Sequence, residues 1–370
     1  MMEKVPITRP PWTDRYKQNW DESFKRVMAW WNNEETDRPV LFNGVPKPEA
    51  QRRGNRIGPK DAAEAERFDL DPEVSLHNIR HGLENTLYPV EGAPAAMCNF
   101  ASLLGMLCVQ AGGRIRYAPD TFTAWLEQEE DLYDRPLPEP GEPCPQLAFV
   151  LDMIRRFHET FGYDVILGAN PMIDPLSTLS MMRGSNDFCM DLIDRPEDIK
   201  RWAGRLGEFY RQAVSSYREA RAALGRREDF NWTGAWAPGD MDTLESDVSV
   251  MLSPEMFRDF VLPEAEYEAS FFDYTIWHLD GSGQFKHLDD ILAIPNLHAI
   301  QYVDEKRRDP VEFAEVWKKI LRKGKSIIFS CDYRYAPALT KRLGHRGLAF
   351  GAWNCNSEAE MEWLIKEVSR

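Results

Sequence analysis

Long apolar runs are missing from this chain of 370 residues. Nothing in it approaches the roughly 20 consecutive apolar residues of a membrane span. The opening MMEKVPITRPPWTDRYK also lacks the apolar core of a secretory signal. The expectation is a soluble, cytoplasmic protein with no membrane partner. An excess of positive charge is missing too: 45 Lys and Arg stand against 60 Asp and Glu, a formal net charge of −15. Nucleic-acid binding needs clustered cations that displace phosphate counterions, so no such partner is expected, and Arg52-Arg53 and Lys306-Arg307-Arg308 read as solvated faces. There is no disulfide framework. Cys98, Cys108, Cys144, Cys189, Cys331 and Cys355 are scattered and read as thiols, with Cys98, Cys108 and Cys189 serving as small packing groups. No 20–50-residue repeat is present, which excludes a solenoid.

What the chain does have is core material: 43% hydrophobic and 12% aromatic residues. Trp20, Phe24, Val27, Met28, Trp30 and Trp31 recur at helical spacing, which predicts a helix docking on the main body. Asp37-Arg38-Pro39 ends it, and Val40-Leu41-Phe42 reads as a first strand. Residues 47–70 read as an irregular excursion, and the proline-rich stretch Pro136–Pro145 as an extended connector. From residue 146 strands and helices alternate. Strands are expected over 164–168, 230–236, 274–279, 298–303, 326–329 and 347–352, with helices over 146–161, 185–194, 196–224, 254–272, 288–293, 310–323 and 357–369. Such alternation means parallel strands with right-handed crossovers. The expected fold class is therefore α/β, a (β/α)8 TIM barrel in one domain spanning 1–370, with N-terminal helical additions over 1–36. The second strand is poorly defined between Gly92 and Tyr117.

A barrel places its chemistry at the C-terminal ends of its strands. His278 and Asp280 end one expected strand, two residues apart and on one face. Gln301 and Tyr302 end the next, Cys331 the next and Cys355 the last, while Trp232, Trp236 and the acidic Asp242 and Asp247 belong to the region before His278. The expected site thus has His278, Asp280, Asp242 and Asp247 as chemical groups. Trp232, Trp236, Gln301 and Tyr302 are the expected substrate wall. Trp232 and Tyr302 serve equally well as core packing.

Arg38-Pro39-Val40, Met182-Arg183-Gly184 with Arg195-Pro196-Glu197, Ser253-Pro254-Glu255-Met256-Phe257 through Pro263, and His278-Leu279-Asp280-Gly281 with His287-Leu288-Asp289 and Ala299-Ile300-Gln301 resemble the uroporphyrinogen decarboxylase superfamily. The likeness implies a barrel of that type. True uroporphyrinogen decarboxylases carry an arginine-rich motif after the first strand, where this chain reads Phe42-Asn43-Gly44-Val45-Pro46-Lys47, so porphyrinogen decarboxylation is not expected. The corrinoid-dependent methyltransferases of the superfamily hold zinc with a His-x-Cys pair and a later cysteine. His278 matches that histidine, Asp280 stands at the first cysteine's position, and Cys355 falls near the second. The resemblance therefore implies zinc held by His278 and Cys355 with Asp280 completing the set, and a corrinoid protein as partner; Cys331 is a further candidate ligand, since zinc accepts N, O and S donors.

Three functions fit these residues. The first is zinc-assisted transfer of a methyl group from a small methoxy, methylamine or thioether substrate to a corrinoid. The second is a metal-free decarboxylase or lyase acting on a small acid, and the third a non-catalytic binding barrel. A homodimer is left open.

Overall fold

The computed structural model describes residues 8–97, 105–118, 123–139, 141, 143–168, 173–304 and 306–370. Cys98 and part of the region expected to hold the second strand lie outside them. Eight short strands run in parallel pairings: β1 Val40–Leu41, β2 Ala95–Met97, β3 Ile166–Gly168, β4 Met241–Leu244, β5 Tyr274–Asp280, β6 Ala299–Val303, β7 Ser326–Asp332 and β8 Leu348–Trp353. Six of them form one sheet in the order β1-β8-β7-β6-β5-β4, and β2 pairs with β3. The fold is α/β. Its continuous hydrogen-bonded ladder covers six strands among the described residues.

Side chains alternate across these strands, and the two faces meet different surroundings. Trp277, Leu279, Ile300, Tyr302, Ile327, Phe329 and Phe350 pack in the large apolar core that includes the helices. Val40, Ile276, Ala299, Ile328 and Ala349 face the other way and form a second apolar cluster with Trp12, Trp20, Trp30, Trp31 and Trp236. The inner face is thus apolar where the strands begin. It turns polar where they end, at His278, Gln301 and Ser330.

The N-terminal helix explains that asymmetry. In α1, Trp20–Trp31, the buried positions Trp20, Ser23, Val27, Trp30 and Trp31 share one face, and that face covers the N-terminal ends of the strands. The Ser326 hydroxyl at the start of β7 donates to the Trp30 carbonyl (2.6 Å), and the Trp31 indole donates to the Trp236 carbonyl (3.0 Å) and packs on Tyr274, the first residue of β5. Asn33 ends the helix in the left-handed region (φ 50°), which Asn tolerates. Beneath β1, buried Glu91 accepts two 2.8 Å bonds from Arg38 and one of 3.0 Å from the Leu41 amide.

Two expected elements differ. The strand expected over 230–236 is a turn flanked by two-residue strands, Asp229–Phe230 and Trp236–Ala237, which pair antiparallel. Asn231 and Gly234 close the turn through a 3.0 Å backbone bond, and the Asn231 side chain accepts from the Thr233 amide. The true parallel strand is β4. Its Asp242 and Thr243 hide the apolar signal because their polar groups are satisfied in the core, Asp242 by the Tyr210 hydroxyl and Thr243 by Asn231. The single helix expected over 254–272 is also interrupted, with a π-helical turn at Phe257–Val261 followed by α-helix Leu262–Ala269. Pro263 has no N–H to give to the carbonyl four residues earlier, and a widened turn is one way a helix absorbs that loss. Residues 47–70 include a helix, Ala62–Asp69, capped by Asp61. No helix among the described residues is long and apolar enough to cross a membrane.

Candidate functional site

At the C-terminal ends of the strands, three ligand atoms from Glu245, Asp247 and His278 lie within 4.8 Å of one another. The geometry comes from strand register. Leu244, the last residue of β4, pairs with Trp277 of β5, so Glu245 leaves β4 beside His278. Asp247 opens the short helical turn Asp247–Met251 and closes over the same point.

His278 is held from behind. Its Nδ1 meets Gln301 Oε1 at 2.5 Å, and the Gln301 amide donates to Ser330 Oγ at 2.8 Å. Because the Gln301 NH2 is engaged with Ser330, its carbonyl is the acceptor for Nδ1–H. That tautomer leaves Nε2 with the free lone pair, as metal-bound histidines require. The Trp232 ring stands edge-on to the imidazole, 4.8 Å between centroids, and walls one side.

The site is strongly acidic. Burial, reinforced by the charges of Asp247, Asp174, Asp242 and Asp280, holds the Glu245 carboxyl well above the usual carboxylate range. Burial likewise raises Asp280, against an opposing pull from His278 and with help from Asp247 and Asp304. Among the described residues no Lys or Arg ion pair reaches Glu245, Asp247 or Asp280. Two carboxylates and one imidazole, with no organic counter-ion, are a donor set suited to zinc or a similar divalent cation, since catalytic zinc sites commonly use three such ligands and leave a position open. Less than about an ångström of side-chain movement would bring all three atoms to the roughly 2.0–2.2 Å of zinc–oxygen and zinc–nitrogen bonds.

Of the expected ligands, His278 belongs to this group and Asp280 stands beside it. The structure does not bring Cys331 and Cys355 there. Ser330 faces inward toward Gln301, so Cys331 faces outward, into the helix-side core with Ile327 and Phe329. Cys355, past the end of β8, is buried in the same core, and burial pushes its thiol up to about 11. Burial also raises Cys331. The five described cysteines are free.

The expected substrate wall divides in the same way. Trp232 and Gln301 line the site. Trp236 does not line the site: it packs edge-on against Trp12 and Trp20 and donates to the Glu91 carbonyl (2.7 Å), because the turn at Asn231–Gly234 reverses the chain. Tyr302 faces outward against Trp317 and donates to Asp304 at 2.9 Å. Asp242 also faces outward, bound by Tyr210 on α2, Pro196–Ala222. Asp247 stands with Glu245 and His278, their ligand atoms within 4.8 Å of one another. Glu245 is not among the expected residues, although Glu245 and Asp247, like His278 and Asp280, are ligand-type residues two apart at a strand's C-terminal end.

No family model matches the sequence, and neither does any curated relative. The fold is similar to that of a methyltransferase from Methanosarcina mazei. The TM-score is 0.56 at 18% sequence identity, covering 93% of this chain and 97% of the other. At that identity the likeness speaks for the fold.

Proposed function

We propose that this chain is one uroporphyrinogen decarboxylase-like barrel that passes a methyl group from a small methylated substrate to a corrinoid carried by a partner protein, assisted by zinc. The observation that carries the proposal is the Glu245-Asp247-His278 group at the C-terminal strand ends, in a fold similar to that of a methyltransferase. Closure of the eight strands is supported at the seams outside the six-stranded ladder. A Cβ on Gly168 of β3 would sit 1.9 Å from the Phe230 carbonyl oxygen, and one on Gly92, ahead of β2, 2.1 Å from that of Asn43 beyond β1. Backbones that approach so closely leave no room for another strand between them.

Methyl groups on oxygen, nitrogen or sulfur are poor electrophiles until the leaving heteroatom is polarised, and a bound divalent cation supplies that Lewis acidity. The protein's own groups do the rest. Glu245, Asp247 and His278 hold the cation, Gln301 fixes the imidazole, and Trp232 excludes water from one side. Asp280 faces the same mouth and is placed to hydrogen-bond the heteroatom that leaves. The closed floor of tryptophans leaves the strand ends as the approach for a partner.

The experiment is to incubate zinc-loaded protein with reduced corrinoid and a panel of methoxy, methylamine and thioether compounds and follow corrinoid methylation by absorbance. Transfer from at least one donor, lost on chelation and restored by zinc, is expected. Full activity after exhaustive chelation would favour a metal-free lyase or acid/base enzyme on this barrel. Absence of transfer with every donor would remove the methyltransferase reading.

A further inference from the structure

Bordering Glu245 lies an acidic cavity of about 150 Å³. That is several times the ~30 Å³ share of one liquid water. It is lined by Asp174, Glu245, Glu264 and Glu268 and by apolar groups including Leu176 and Phe260. The π-helical turn Phe257–Val261 and α3, Leu262–Ala269, form one wall, and α2 forms the other. The widened turn ahead of Pro263 therefore shapes the space.

Two carboxyl groups in this cavity have unfilled bonding capacity. Asp174 is 8% exposed and caps a helix: one oxygen accepts from the Leu176 and Ser177 amides at 3.0 and 2.9 Å, while Oδ2 has no partner among the described residues. Glu268 is 3% exposed, and its Oε1 is likewise without a partner. The cations at hand are already paired with other lining carboxylates: Arg211 with Glu264 at 2.9 Å, and Lys200 with Asp259 at 3.0 Å. Buried acceptors left unpaired are costly, and the missing partner has a definable chemistry. It must donate hydrogen bonds, and a positive charge and apolar surface would complement the acids and Leu176 and Phe260. A bare divalent ion fits poorly, because among the described residues the ligand atoms that gather within 4.8 Å are those of Glu245, Asp247 and His278, not those of Asp174 and Glu268.

We propose that this cavity binds a short protonated amine, of the methylammonium class, with its N–H groups directed to Asp174 Oδ2 and Glu268 Oε1. Such charge-assisted bonds are about twice as strong as neutral ones. Occupancy does not depend on the methyl-transfer reading. If that reading holds, Glu245, which borders both cavity and metal group, places an amine next to the reaction centre and makes methylated amines the favoured substrate class.

The test titrates dimethylammonium chloride into the metal-free full chain by calorimetry, with isopropanol as the neutral analogue and sodium chloride at matched ionic strength. Binding of dimethylammonium but not isopropanol is expected, unaffected by sodium. Glu268→Gln and Asp174→Asn should each weaken it at least tenfold. Gly204→Leu probes the space without touching charge: a Cβ at Gly204, which lines the cavity on α2, meets nothing within 4 Å, so the larger side chain should fold normally and abolish binding. Circular dichroism and melting curves confirm folding of each variant. Equal binding of isopropanol, full competition by sodium, no binding to the wild-type chain, or unchanged binding to the folded Gly204→Leu protein would each overturn the proposal. Because no zinc or corrinoid is present, failure here is distinguishable from failure of methyl transfer.

Discussion

Gln301 holds His278 Nδ1 at 2.5 Å and leaves Nε2 without that bond, beside Glu245 and Asp247, as the proposed metal ligation needs. Gln301→Met keeps the volume and removes the acceptor, and loss of such support typically weakens metal affinity 10–100-fold. A competitive-chelator titration should show that drop with little change in melting temperature. Asp280→Asn separates substrate handling from metal binding. It should lower methyl transfer by about 10²-fold or more, in the range of a lost polar catalytic contact, while zinc content stays at the wild-type level. Asp174 gives a pH signature. Burial raises its carboxyl to about 7, with Glu245, Glu268 and Asp247 as acidic neighbours, so the fold favours the protonated form. That stabilisation is complete below the unfolded value near 4 and disappears as pH climbs through about 7. Asp174→Asn retains an oxygen for the Leu176 and Ser177 amides, so its stability advantage over wild type should grow from pH 5 to pH 8 by about 3 kcal/mol, measured by denaturant unfolding at each pH. Residue identities in the sequence pointed to His278, Asp247, Trp232 and Gln301, which the structure gathers in one place. Alternation concealed the fates of Cys331 and Tyr302, because a one-residue difference in register sends a side chain to the opposite face.

Among elements, α1 is the one whose role the sequence made plain: its tryptophan stripe could only be buried against something apolar, and the strand origins supply that surface. The Glu91 knot beneath β1 was not legible, since an acid far from its arginines in sequence carries no local signal. Breaking a buried pair from one side leaves a charge uncompensated and typically costs about 3–5 kcal/mol. Glu91→Gln is therefore expected to lower unfolding free energy by about 3 kcal/mol while zinc content of the folded fraction is unchanged, as urea unfolding and metal analysis would show. The region from Asp229 to Leu244 was misread for a physical reason. The sequence there places its apolar residues in a hairpin and its polar ones in the parallel strand, the reverse of the usual pattern, because Tyr210 and Asn231 satisfy Asp242 and Thr243 from other elements.

At the scale of the whole molecule, a tryptophan-lined floor at one end and an acidic, histidine-bearing mouth at the other set apart the C-terminal strand ends, where the proposed chemistry would lie. The parallel α/β arrangement was legible from strand-helix alternation, β3 included, whereas β2, three residues in the poorly patterned stretch after Gly92, was not. The central claim is that Glu245, Asp247 and His278, and not the two cysteines, form a metal centre. It is tested most directly by measuring zinc bound per chain in four proteins dialysed against the same zinc buffer: wild type, His278→Ala, Glu245→Gln and the double variant Cys331→Ser/Cys355→Ser. The account predicts about one zinc for wild type and for the cysteine variant, with marked loss in the other two at comparable folding. Retention of zinc by His278→Ala and Glu245→Gln, together with its loss from the cysteine variant, would contradict it.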